Sequence, residues 1–144
     1  MTPEAAEHAE VCMEVLQSEQ HEVKQWRDTM GRAESTERKL EALNDELCDG
    51  VSPERAKEVR NQAKTLAIVV NTMSLQTQLA LKNAESFDVL SGVLGSPTFD
   101  DARVAANLTV GELDKLQPLR NAHFAAMHTT LGRCRWLSVQ IRDL

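Results

Sequence analysis

Apolar residues in this chain recur in alternating steps of three and four, the spacing that keeps them on one face of an α-helix. The first seam runs from Ala9 and Cys12 through Leu16, Glu19, Val23, Trp26, Met30, Ala33 and Glu37 to Leu40, then shifts to Leu43 and Leu47. Thr2-Pro3-Glu4 opens this helix with a hydroxyl cap, a proline at the first helical position and an acid near the positive end of the dipole. Gly31 marks a place for a bend, and Asp49-Gly50 supplies a stop. The second helix opens in the same way at Ser52-Pro53-Glu54. Its seam is the cleanest, running from Ala56 and Val59 to Phe87, Ser91 and Leu94. Further apolar residues flank that seam between 65 and 94, so the second helix is central in a bundle or has a partner on another face. After Gly95-Ser96-Pro97, Thr98-Phe99-Asp100-Asp101 reads as a capping box for a short helix over 99–107. Thr109-Val110-Gly111-Glu112 reads as a second box, opening a helix over 110–143. That last helix carries Leu113, Leu116, Leu119, His123, Ala126, Thr130, Cys134, Leu137, Ile141 and Leu144 as its seam, with Pro118 expected to kink it or start a new segment. No segment alternates as a strand does.

Length turns this pattern into an architecture. Helices of about 45, 42 and 33 residues, rising about 1.5 Å per residue, would be about 50–70 Å long. Short connections make neighbours antiparallel. The expectation is an all-α, elongated antiparallel bundle with coiled-coil-like seams, formed as a single helical domain over 1–144 with helices at about 3–48, 53–94, 99–107 and 110–143. With 42% hydrophobic residues the chain is too apolar for a disordered tail, and no apolar run approaches a membrane span. Aromatics make up only 3%, which implies a thin core of Leu, Val and Ala. The net charge of −6 is uneven: residues 1–50 hold 5 Lys/Arg against 13 Asp/Glu, while 51–95 and 96–144 each carry +1. An acidic first helix argues against nucleic acid as a partner and would favour a basic one. With five glutamates in the first twenty residues and no basic, apolar leader, the expected location is cytoplasmic.

Candidate chemistry is sparse. Cys12, Cys48 and Cys134 sit at or near apolar helical positions, without disulfide or metal-pair spacing, and read as buried free thiols. His8 and Cys12 lie four apart on one helix face, but two ligands make no metal site. Asn107-Leu108-Thr109 has the spacing of a glycosylation acceptor, in which Thr109 is better used as a cap. There is no phosphate loop, HExxH or nucleophile elbow. The expectation is no enzyme activity, no cofactor and no metal. The stretch Ala126-Met127-His128-Thr129-Thr130-Leu131-Gly132-Arg133 resembles the phosphoacceptor segment of histidine phosphotransfer domains. That resemblance implies His128 as phosphoacceptor and Gly132 as the point of close approach for a response regulator. Leu131 stands where the family places a lysine.

From Glu19 to Asp101 the chain is similar in layout to the flagellar type III export chaperones that hold hook–filament junction proteins. The likeness rests on a Glu-rich first helix with Lys39-Leu40-x-x-Leu43, then on Asn71, Asn83 and Val89-Leu90-x-x-Val93-Leu94, and on the Thr98-Phe99-Asp100 turn. It implies a long helical hairpin that holds a partner helix. Residues 112–144 depart from the family's flexible tail by patterning as a firm helix. The reading of the residues themselves is a non-enzymatic interaction protein that lays a partner helix along exposed apolar surface of its second helix or of the helix over 110–143. Leu75, Leu79, Val89, Leu90 and Val93 are the candidate contacts, with Phe87 and Phe99 as aromatic anchors. A homodimer through the same surface, as in a structural rod, is the remaining expectation.

Overall fold

The structure, a computed structural model, describes residues 2–144. Three long helices pack against one another in an all-α bundle: α1 (Pro3–Asp49), α2 (Pro53–Leu94) and α3 (Arg103–Asp143). A 3-10 segment, Pro97–Ala102, joins α2 to α3. Both N-terminal expectations hold at atomic level. The Ala5 amide donates to Thr2 Oγ1 at 3.1 Å, and the Arg55 amide donates to Ser52 Oγ at 3.2 Å. Between α1 and α2 the chain turns at Gly50, whose φ of +90° is open to glycine without strain. Across that turn Arg55 holds both carboxylate oxygens of Glu46, at 2.5 and 2.9 Å, and keeps its carboxyl below the usual range.

The C-terminal third corrects the expected boundaries. The short helix over 99–107 and the separate start at 110 are replaced by the 3-10 segment and one continuous α3. Thr109 is not a cap. Its hydroxyl donates to the carbonyl of Ala105 at 2.8 Å, four residues back in the same helix. Arg103 closes the connection instead, donating to the carbonyls of Leu94 at 3.1 Å and Ser96 at 2.7 Å while pairing with Asp100. A cation there satisfies carbonyls left over at the negative end of α2. Pro118 lies inside α3, which continues on both sides of it, and α1 likewise runs through Gly31.

Packing divides the chain into two compact units. One comprises the residues up to Trp26 together with Leu79–His123; the other comprises Arg27–Gln78 and Phe124–Leu144. In the second unit, Leu40, Val59, Val70, Met73, Met127 and Leu137 form an aliphatic core closed to solvent. Cys134 lies in that core with its thiol pushed up to about 11, chiefly by burial. Arg55 meets Glu46 while Arg32 reaches Gln76, and Arg60 donates to the Leu144 carbonyl while Arg135 reaches Ser74, so α2 runs antiparallel to both its neighbours there. In the first unit, Cys12, Leu94, Phe99 and Ala106 are the buried centre, with His8 against the Phe99 ring and 2.8 Å from Asp101. The rings of Trp26 and His123 stack in the same unit, with centroids 5.6 Å apart. Burial holds the His123 pKa down.

The seams read from the sequence on α1 and α2 are the buried ones: none of their positions is exposed. On α3 the reading slips by one residue in two places. Leu119 and Ala126 face solvent, and Arg120 and Met127 take the inward positions. The inward set then repeats every seven residues through Ala106, Leu113, Arg120, Met127, Cys134 and Ile141.

Candidate functional site

Two features of the surface and core stand apart from ordinary packing. The first is the outward face of α2. With Val70 and Met73 facing the core, the opposite side of the same helix presents Ile68, Thr72, Leu75, Leu79, Lys82, Ser86, Val89 and Val93 in steps of three and four. Ile68, Leu75, Leu79 and Val89 are 62–68% exposed, and Val93 is 45% exposed. Val69, Leu81 and Leu90 are exposed beside them. A second apolar seam opposite the buried one is the pattern of a helix with partners on two sides. From Thr65 to Leu81 the helix carries no charged residue, and the seam is edged by the amides of Asn71, Gln76, Gln78 and Asn83. Charged residues are what normally keep an outward helix face single and solvated, and this stretch lacks them.

Of the seven residues expected to meet a partner, five lie on this face: Leu75, Leu79, Val89, Leu90 and Val93. The two aromatic anchors do not. Phe99 is only 7% exposed and belongs to the core of the first unit, because the 3-10 segment turns it inward between α1 and α3. Phe87 is half-buried on the inward seam. His128 is exposed on α3, and a side chain added at Gly132 would meet nothing within 4 Å. Leu131 is buried in the core, so no cation stands at that position. Arg133 lies over the Trp136 ring at 4.5 Å, and Arg135 is engaged with Ser74. Cys48, expected in the core, is exposed.

The second feature was not legible as a site. Inside the first unit, Glu19 of α1 and Arg120 of α3 occupy inward positions that elsewhere hold Leu, Val or Met; they are 2% and 7% exposed. Arg120 grips Asp88 of α2 through both terminal nitrogens, at 3.1 and 3.0 Å, and donates to the Ala84 carbonyl at 3.4 Å. Beside them opens a cavity of about 310 Å³ lined by Glu19, Phe87, Asp88, Leu113, Asp114 and Gln117, among others. Glu19 Oε2 accepts no hydrogen bond from any described residue. Burial pushes the Glu19 pKa up, and nearby Glu22 and Asp88 add to this, against the pull of Arg120.

No helix among the described residues is long and apolar enough to cross a membrane. Nor does any group of three or more His, Cys, Asp or Glu among them have the arrangement to hold a metal ion. Comparison with known protein families, with curated proteins and with solved structures finds no match, so these two features carry the functional argument on their own chemistry.

Proposed function

We propose that this protein is a non-enzymatic interaction module in which α2 receives a partner's amphipathic helix along its outward face, and that it acts as a holding chaperone of the flagellar export kind. The observation carrying the first part is the exposed seam Ile68, Leu75, Leu79, Val89 and Val93 on a helix whose other side is already packed. Burying a leucine-sized side chain contributes about 1.5–3 kcal/mol, so five such contacts along one helix supply ample drive for helix-in-groove association. The uncharged edge of Asn and Gln selects a partner by apolar fit and amide hydrogen bonds rather than by charge. The acidic first fifty residues add a long-range pull on a basic partner. The chaperone part rests on the similarity in layout between Glu19 and Asp101.

Photo-crosslinking from position 75 or 79 in the native cell tests this directly. Adducts with a protein carrying an amphipathic helix, lost when Leu75 and Leu79 are changed to Glu, are the expected result. Adducts solely between copies of this chain would replace partner capture by self-association. Phosphoryl transfer is checked separately, by incubation with a small phosphodonor: an acid-labile label that depends on His128 would move the reading to signalling.

A further inference from the structure

The net charge of this chain is confined to one end of it. Six of its 22 acidic residues and none of its 16 basic ones fall within the first 23 positions, so the rest holds 16 of each and is neutral. On the opening turns of α1, Glu7, Glu10, Val11 and Glu14 share one face at helical spacing, and all four are exposed. None of these three glutamates enters an ion pair among the described residues. In the second unit the sign is reversed. There α2 carries no acid from Val59 to Gln78, and α3 carries none from Phe124 to Arg142. Between the two helices lies a groove of about 360 Å³, lined by Arg60, Lys64 and Arg142 together with Ala67 and Val139. The exposed side of α3 extends that lining through Arg135 and Trp136. Asp143, 3.1 Å from Arg142, offsets part of the charge. Trp136 is 49% exposed in a chain with two tryptophans, and Arg133 lies over its ring. An exposed tryptophan among arginines has the composition of an interface centre rather than of a solvated face.

We propose that this basic face of the second unit docks the acidic opening of α1 from a second copy of the chain. Charge selects the occupant, and the spacing fits it. Glu7 and Glu14 are seven residues apart, and so are Arg135 and Arg142. At about 1.5 Å per residue both pairs span about 10.5 Å. Val11 stands four residues after Glu7 and three before Glu14, and Val139 stands four after Arg135 and three before Arg142. Two such helices laid parallel put each carboxylate opposite a guanidinium, with valine against valine between them and Trp136 beside it. Lys64 and Arg60 across the groove strengthen the positive field. At about 0.1 M salt the Debye length is about 10 Å, which mutes the repulsion between two chains of −6 more than the attraction between groups in contact. The contact joins two different patches, so it is heterologous, and it does not depend on the outward face of α2.

The test is sedimentation of the whole protein over a concentration series. The expected result is association that weakens in about 1 M salt, where the Debye length falls to about 3 Å. Arg135→Glu combined with Arg142→Glu should weaken it at least about tenfold, and so should Glu7→Lys combined with Glu14→Lys, because each sets like charges opposite one another. An equimolar mixture of the two variants should restore association, since each intact surface then finds its intact complement. A chain carrying all four changes should restore it as well. Leu75→Glu with Leu79→Glu should leave it unchanged, which separates this contact from one through the outward face of α2. All six positions are exposed, so circular dichroism should show each variant folded. Association that neither charge variant weakens, or a loss that neither the mixture nor the fourfold chain repairs, would overturn the proposal. A protein that stays monomeric at every concentration would overturn it too, and poly-glutamate binding that depends on Arg135 and Arg142 would then give the face to an acidic partner of another kind.

Discussion

At the scale of single residues, the inward-facing Arg120 is where sequence and structure part. An apolar residue, Leu119, stands beside it, and hydrophobic periodicity assigns the seam to the leucine. The structure chooses the arginine because Asp88 and the Ala84 carbonyl on α2 satisfy its nitrogens, which makes burial affordable. Glu19 was legible as a seam position, since the spacing of its neighbours puts it there, but its isolation from donors was not, because that depends on residues a hundred positions away. Two predictions belong here. Arg120→Ala should cost about 2–3 kcal/mol in chemical denaturation, because it removes the grip on Asp88 and leaves Glu19 without its nearest positive charge. The cost should fall measurably in the Glu19→Gln background, since the two residues are coupled. Glu19→Gln alone should stabilise the protein at neutral pH. The folded pKa of Glu19 is raised, so its contribution to stability is fully present below the unfolded value and is lost as pH rises through the folded one. Melting curves from acid to neutral pH should show the two proteins alike at the acid end and the variant ahead above it. The groups that set this balance are Glu22 on α1, Asp88 on α2, and Asp114 and Arg120 on α3.

At the scale of elements, helix starts were the most legible feature. A hydroxyl followed by proline and glutamate has one good use, and both instances cap their helices through side-chain hydrogen bonds. The region after Gly95 was misread because capping residues are ambiguous: Thr109 has the right neighbours for a box, yet its hydroxyl bonds equally well to a carbonyl one turn back. Nothing local decides between the two. The decision comes from Cys12, Phe99 and Ala106, whose packing draws the chain straight into α3. Pro118 was expected to kink the helix or to start a new segment there; no new segment starts, and the helix continues through a position that forgoes one hydrogen bond. Pro118 is exposed, so replacing it does not disturb the core. Pro118→Ala should restore the bond to the Asp114 carbonyl and relieve the ring's clash with the preceding turn, offset in part by the freer unfolded chain. A net gain of about 2 kcal/mol in denaturant unfolding is the expected outcome, and a loss would mean that the proline holds α3 in a needed geometry.

At the scale of the whole molecule, the question is why a chain poor in aromatics keeps so much aliphatic surface in water. The core does not need it. In each compact unit the inward seam of α2 is complete without Ile68, Leu75, Leu79, Val89 or Val93. Exposed aliphatic residues scattered singly need no account, but five at helical spacing on one helix side do. Leu75→Glu combined with Leu79→Glu separates the alternatives, because both side chains are 62% exposed and neither belongs to a buried cluster. Stability should change by no more than about 0.5 kcal/mol per site, the usual bound for surface positions. If the face serves a partner helix, the double variant should keep the mass of the unmodified protein in light scattering and lose its crosslinked partner. If it serves a second copy, the unmodified protein should run as a dimer and the variant as a monomer. A variant that unfolds would place these leucines inside the fold's own packing and remove the outward face as a binding surface.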